Sequence, residues 1–282
     1  MRKGLRLSFV LIGLAVFTGT LVPAAARAGD ELLELFVQAG YAYKQADYTK
    51  AVTFYEEILQ QGWENGVVYY NLGNSYFKQN QLGKAVLNYE RARRLIPRDS
   101  DLNANRRYAL SLIKNYNVTS ADTFWERWIK AYCDYFTVDE VSVILLVALV
   151  LSAAAHLGGL CFNWPKRIRM ITFTLFCGVF IFQLISLSEK LNNEKDHAVA
   201  ISSVEAKYEP RQEATTYFEL SEGWEVRILS TQGEWFKVER LDGKVGWVPG
   251  KSVESLDMQE FDNCLRGLTA GSSCSQRRPH VF

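Results

Sequence analysis

Apolar residues fall along this chain in three rhythms, each confined to its own stretch. Leu7 to Val22, Val141 to Pro165 and Met170 to Ser188 are continuous apolar runs, and the last two contain no Asp, Glu, Lys or Arg. Between the first two runs, apolar positions recur every three or four residues, the spacing of amphipathic helices. From His197 to about Leu256 the period drops to two, the spacing of half-buried strands. The pattern predicts a multidomain α + membrane + β chain: a helical segment, a two-helix transmembrane hairpin and a small β-barrel.

About 20 helical residues at 1.5 Å each cover the ~30 Å hydrocarbon core, so spans are predicted at 141–162 and 168–188. A pair of buried core helices would carry a polar stripe, and neither run has one. The loop Asn163-Trp164-Pro165-Lys166-Arg167-Ile168-Arg169 holds three basic residues and no acidic one, which keeps it in the cytoplasm. Both flanking polar segments then face the outer side. Arg2, Lys3 and Arg6, the apolar run after them and Ala24-Ala25-Ala26-Arg27-Ala28 have the order of a signal peptide, 1–28. Cleaved after Ala28 or kept as an anchor, it gives the same sidedness. The expected location is a bacterial inner membrane with both polar segments in the periplasm. Trp125, Trp128, Tyr132, Tyr135 and Phe136, in an interfacial linker over 118–140, and Trp164 suit an aromatic belt. Ala154 with Gly158, and Ala155 with Gly159, form a small-residue seam for the second span. His156 reads as a proton relay or, lacking a charged partner in either span, as a neutral packing residue.

The helical segment, 31–117, repeats with a period of 34: Ala39 aligns with Gly73, Tyr43 with Phe77, Lys44 with Lys78, Lys50 with Lys84, Ala51 with Ala85 and Tyr55 with Tyr89. Small residues at Gly73, Ala85 and Ala92 let two antiparallel helices touch while Leu72, Tyr76 and Tyr89 fill the space between them. The copies are 35–68 and 69–102, and a third helix near Asp101–Asn115 carries Arg106 and Arg107, which suits a solvated cap. Tyr69-Tyr70-Asn71-Leu72-Gly73-Asn74-Ser75-Tyr76, followed by Ala85, Tyr89, Ala92 and Pro97, resembles the tetratricopeptide repeat signature. That resemblance implies a concave groove for extended peptides or partner helices, lined here by Phe36, Tyr43, Lys44, Tyr70, Asn71, Asn74, Phe77, Lys78 and Asn105. Asn71 and Asn105 lie one period apart, so their amides can bond successive backbone groups of a bound chain. The alternative is a groove whose residues only solvate it.

The β segment, 197–256, holds short runs at Ala198–Ile201, Tyr217–Leu220, Val226–Leu229, Trp235–Val238 and Val245–Val248, with Asp242-Gly243 suited to a type I′ hairpin. Five short strands predict a small barrel. Glu222-Gly223, Trp235-Phe236-Lys237-Val238 and Gly243-Lys244-Val245-Gly246-Trp247-Val248 are similar to bacterial SH3 domains, whose ligands are cell-wall peptides or other proteins. Tyr208, Trp224, Trp235 and Trp247 are its candidate contacts, or else packing aromatics of a barrel that needs large side chains. Residues 257–282 read as a flexible tail in which Cys264 and Cys274 can form a disulfide if the compartment is oxidising.

With 48% hydrophobic and 22% charged residues among 282 and a net charge of +1, the chain is neither fibrous nor disordered, and it lacks the basic excess of a nucleic-acid binder. Its three histidines have no second His or Cys at metal-ligand spacing, and no phosphate-cradling Gly loop or nucleophile elbow occurs. No cofactor, metal or catalytic residue is therefore predicted, and an enzyme is not expected. The order signal, repeats, hairpin and SH3-like barrel resembles BatE-type proteins of bacterial aerotolerance operons. That resemblance implies an envelope-stress scaffold working beside von Willebrand A domain membrane proteins and a MoxR-type ATPase. A competing reading from another class is a peptidoglycan-binding module that positions a cell-wall hydrolase.

Overall fold

The computed structural model describes residues 29–114, 116, 123–161 and 164–256. The signal-peptide segment, the tail with Cys264 and Cys274, and the side chain of Trp125 lie outside the described residues. Eight helices and seven strands follow one another in the described chain.

Five helices make a repeat array: α1 (29–44), α2 (Tyr48–Gln60), α3 (Gly66–Lys78), α4 (Leu82–Leu95) and α5 (Ser100–Ser111). Their starts are written locally. Asp47, Asn65 and Asp99 cap α2, α3 and α5 by accepting from the backbone N–H of Lys50, Val67 and Leu102 at 3.2, 2.8 and 2.8 Å. The period is also visible in the backbone, because Ala46 (φ 61°) and Asn80 (φ 60°) make the same left-handed turn 34 residues apart. Gly73 sits against Tyr89 so closely that a Cβ there would lie 2.7 Å from the ring, which fixes the approach of α3 and α4.

The next two long helices pair as a hairpin. The α7 helix (Val138–Cys161) starts at a capping box, in which the Glu140 N–H donates to Thr137 Oγ1 at 3.2 Å and the Thr137 N–H donates to Glu140 Oε2 at 3.0 Å. Over Val138–Gly159 and Lys166–Ser188 the two helices are long and apolar enough to cross a membrane, and little of either stretch is buried, unlike the core helix of a soluble fold. The α8 helix (Lys166–Asp196) has 31 residues, about 46 Å, so its last turns extend past a ~30 Å hydrocarbon core and run directly into the first strand. The α6 helix (Phe124–Tyr135) packs on α8: the Tyr132 hydroxyl donates to Gln183 Oε1 at 3.0 Å, and the Lys190 ammonium donates to the Cys133 carbonyl at 2.6 Å and to that of Phe136. Tyr132 therefore faces α8 and Phe182 instead of joining an outward belt, whereas Trp128 and Tyr135 are exposed. The small-residue seam is narrower than expected. A Cβ on Gly159 would meet Arg169 at 3.2 Å, but Gly158 faces open space. The His156 ring lies 6.1 Å from that of Phe173 across the hairpin.

The C-terminal unit is one antiparallel sheet of β1 (His197–Ala200), β2 (Val204–Lys207), β3 (Thr216–Leu220), β4 (Glu225–Gln232), β5 (Trp235–Arg240), β6 (Val245–Pro249) and β7 (Val253–Ser255), in the order β3-β2-β6-β5-β4-β1-β7. The expected barrel is not closed, because β3 and β7 remain edges. Two strands escaped the pattern: β2 is four residues of mixed polarity and β7 only three. The Asp242-Gly243 turn is not type I′ either. Gly243 has positive φ (81°) and Asp242 does not, and the Gly243 N–H closes on the Arg240 carbonyl at 2.8 Å, so the loop has three residues. Gly246 earns its place by contact: a Cβ there would be 3.0 Å from both Ala206 and Phe218.

The sheet docks on the back of the array, and buried residues of both form one continuous core. The α4 helix has no side-chain cap of its own, and the sheet supplies one: Glu222 Oε1 accepts the Gly83 N–H at 2.7 Å. A Cβ on Gly83 would lie 2.5 Å from the Ala200 carbonyl, so only glycine allows this approach. Arg91 is buried and donates to the Ser255 carbonyl at 2.7 Å and to Glu254 at 3.0 Å. Arg106 is not the solvated cap residue expected. Its guanidinium bridges Glu90 of α4 to Glu225 of β4. The array thus has a packing partner in its own C-terminal sheet.

Candidate functional site

On the face of the array away from the sheet, a cleft of about 380 Å³ is lined by Tyr43, Tyr70, Asn74, Phe77, Lys78, Tyr89, Asn105 and Tyr108. Helices α1, α3 and α5 present one wall each because equivalent positions recur every period. The floor is a neutral hydrogen-bond network. Asn74 Oδ1 accepts from the Tyr89 hydroxyl at 2.8 Å and from Asn105 Nδ2 at 3.0 Å, and the same Asn105 amide donates to the Tyr70 hydroxyl at 3.0 Å. Burial pushes the Tyr89 phenol well above its ordinary value, and the nearby Tyr70 adds to this. The Tyr43 phenol is raised by burial and then by Tyr48. Both remain neutral hydrogen-bond donors across the physiological range. Tyr70 and Tyr89 lie 6.2 Å apart and Phe77 and Tyr108 5.8 Å apart, so aromatic rings flank the amides.

Six of the nine residues expected in the groove line this cleft: Tyr43, Tyr70, Asn74, Phe77, Lys78 and Asn105. The other three do not. Phe36 packs edge-on against Tyr55 at 5.9 Å, and neither Lys44 nor Asn71 is part of the lining. Asn105 bonds Asn74 in the floor of the cleft, while Asn71, one period before Asn105, stands outside the lining. Tyr89 and Tyr108 were missed as lining. Tyr108 lies one period after Asn74, so extending the repeat to the third helix would have found it.

The sheet candidates separate. Trp224 is buried, with its ring 5.1 Å from Tyr116 and 4.6 Å from the Arg240 guanidinium, and its indole N–H directed at the Lys114 carbonyl (3.4 Å). It is a docking residue, closed to a ligand. Tyr208 is exposed and stacks on Tyr217 at 4.6 Å. Trp235 and Trp247 are half-buried, and Lys237 lies 5.9 Å from the Trp247 ring.

With this geometry in place, comparison with protein families finds the tetratricopeptide repeat model matching residues 67–99, the span of α3, α4 and the turn after them. Residues 67–99 are a tetratricopeptide repeat. No curated protein matches the chain. The repeat contributes Tyr70, Asn74, Phe77, Lys78 and Tyr89 to the cleft, more than half of its lining. A tetratricopeptide repeat with an open, ring-walled cleft supports a protein–protein interaction scaffold, and the two apolar helices are candidate membrane anchors.

Proposed function

We propose that the protein is a membrane-anchored periplasmic scaffold that holds an extended peptide or partner helix in the repeat cleft and presents an SH3-like sheet beside it. The observation that carries this reading is the cleft itself: aromatic side walls for apolar side chains, an Asn74–Asn105 amide floor for backbone groups and Lys78 at its rim. The docking of sheet on array supports a shared compartment for both, since the hairpin enters and leaves on the side where they meet. In this reading the protein is a BatE-type component of an envelope-stress complex, working with von Willebrand A domain membrane proteins and a MoxR-type ATPase.

Photo-crosslinking from Tyr70 and Asn74 in intact cells tests it. The expected product is a membrane or periplasmic protein attached at either position. Reporter fusions after Asn117 and after Leu256 are expected to register outside the cytoplasm, and a cytosolic signal from either would overturn the shared compartment. Retention of the full chain on insoluble peptidoglycan, with no protein captured at the cleft, would replace the scaffold reading with the cell-wall one.

A further inference from the structure

We propose that the ionic cluster between array and sheet is a proton-operated latch, in which ionisation of Glu225 sets how tightly the sheet is held on α4 and α5. Glu90 of α4 has a side chain only 2% exposed and is gripped by Arg93 Nε at 3.0 Å and by Arg106 Nε. The same Arg106 reaches across the boundary, where Nη2 donates to Glu225 Oε1 at 3.1 Å and the Tyr116 hydroxyl donates to that oxygen at 3.2 Å. Two largely buried carboxylates therefore share one guanidinium, with Glu90 2% and Glu225 12% exposed, and such a pair resists carrying two charges.

Their environments divide the roles. Burial raises the Glu90 carboxyl, but Arg93 and Arg106 outweigh that and hold it below the carboxylate range. Burial raises the Glu225 carboxyl too, the Glu90 charge adds to it, and Arg106 and Arg93 do not compensate, so Glu225 holds its proton above the usual range. Of the neighbouring charges, Glu90 acts on His197 of β1, as do Arg94 of α4, Arg227 of β4 and Asp196 at the end of α8, while Asp134 of α6 pairs with Arg93 at 2.9 Å and Glu254 of β7 with Arg91 at 3.0 Å. Burial, then Arg94, pushes the His197 imidazole down.

The docked form keeps a proton on Glu225 that an undocked, solvated carboxyl releases near its ordinary range. Docking consequently weakens as pH climbs from that range to the raised one, by up to about tenfold per pH unit, and levels off above it. His197 acts in the opposite sense: docking favours its neutral form, so its contribution grows as pH rises toward the ordinary histidine range. An opened latch would expose the back of α4 and separate the sheet from the cleft.

Hydrogen exchange of the full chain in nanodiscs, corrected for intrinsic rates, reads the latch at Gly83, whose N–H is held across the boundary by Glu222. Exchange at Gly83 is expected to be about tenfold or more faster at pH 8 than at pH 5, with Leu72–Tyr76 unchanged. Glu225→Gln, a mimic of the protonated carboxyl, removes that rise and leaves only the reverse drift from His197. Glu90→Gln flattens it too, by leaving Arg106 a single carboxylate. Equal Gly83 exchange at both pH values in the unaltered protein, or a rise that survives in Glu225→Gln, would overturn the proposal.

Discussion

The front and the back of α3 and α4 treat polar groups in opposite ways. In front, Asn74, Asn105, Tyr70 and Tyr89 join neutral amides and phenols around an open cleft. Behind, Glu90, Arg91, Arg93 and Arg106 form an ionic cluster that Glu225 and Glu254 of the sheet complete. Neutral hydrogen bonds are worth about 1 kcal/mol net, so amides and phenols can exchange water for a ligand at small cost. A buried ion pair behaves differently, since removing one partner strands the other charge away from water. The chemistry in front suits contacts that come and go, and the chemistry behind suits a contact within the chain whose strength is set by charge state.

The comparison breaks most visibly at the back. Glu90→Ala takes away the buried carboxylate that Arg93 and Arg106 share, leaving Arg93 only the exposed Asp134 and Arg106 only Glu225, and is expected to cost about 3 kcal/mol in denaturant unfolding of the full chain, with array and sheet signals moving together. Separate transitions for helix and sheet in the unaltered protein would show that the two units are not one cooperative body. Gly83→Ala is gentler and more selective. Its Cβ meets backbone at the Ala200 carbonyl, which cannot yield as a side chain can, so a loss of about 1–3 kcal/mol is expected. Crosslinking from Tyr70 should be unaffected, and its loss in Gly83→Ala would mean that front and back are coupled. In front, Asn74→Ala removes the acceptor of Tyr89 and Asn105, at an expected cost of about 1–2 kcal/mol, while partner capture at the cleft falls sharply. Retained capture would move the binding surface elsewhere.

How legible this was depended on whether a feature repeats. The period of 34 placed Tyr43, Tyr70, Asn74, Phe77, Lys78 and Asn105 together because a helix face is set by spacing alone. It failed at Asn71, where one turn of helix decides between two candidate amides, and at Phe36, where Tyr55 offers an aromatic partner. The hairpin was equally readable, since length and polarity carry it. The back of the array was not. Glu90, Arg91 and Arg106 look like the wet face of an amphipathic helix, and nothing local says that residues more than a hundred positions later will cover them. The open sheet was hidden for the same reason: β2 and β7 are too short to show a period, and β1 carries β7 on one side and β4 on the other. Long-range pairing determines both, and periodicity records only local geometry.

The smallest expected effect sharpens the contrast most cleanly. Arg227 and Glu239 face each other across β4 and β5 as a guanidinium–carboxylate pair, with the Arg side chain 51% exposed. In partners and geometry it resembles Arg106 with Glu90; what differs is water. In solvent, attraction is screened, holding two long side chains in register costs entropy, and a stranded partner is rehydrated at once. Arg227→Gln is accordingly expected to change unfolding stability by no more than about 1 kcal/mol, and by less at high salt. Arg227 also lowers the His197 imidazole, so the substitution should raise that group slightly, visible as an upward shift of its NMR titration midpoint. A loss as large as that of Glu90→Ala would mean that the number of charges, and not their exclusion from water, holds the sheet in place.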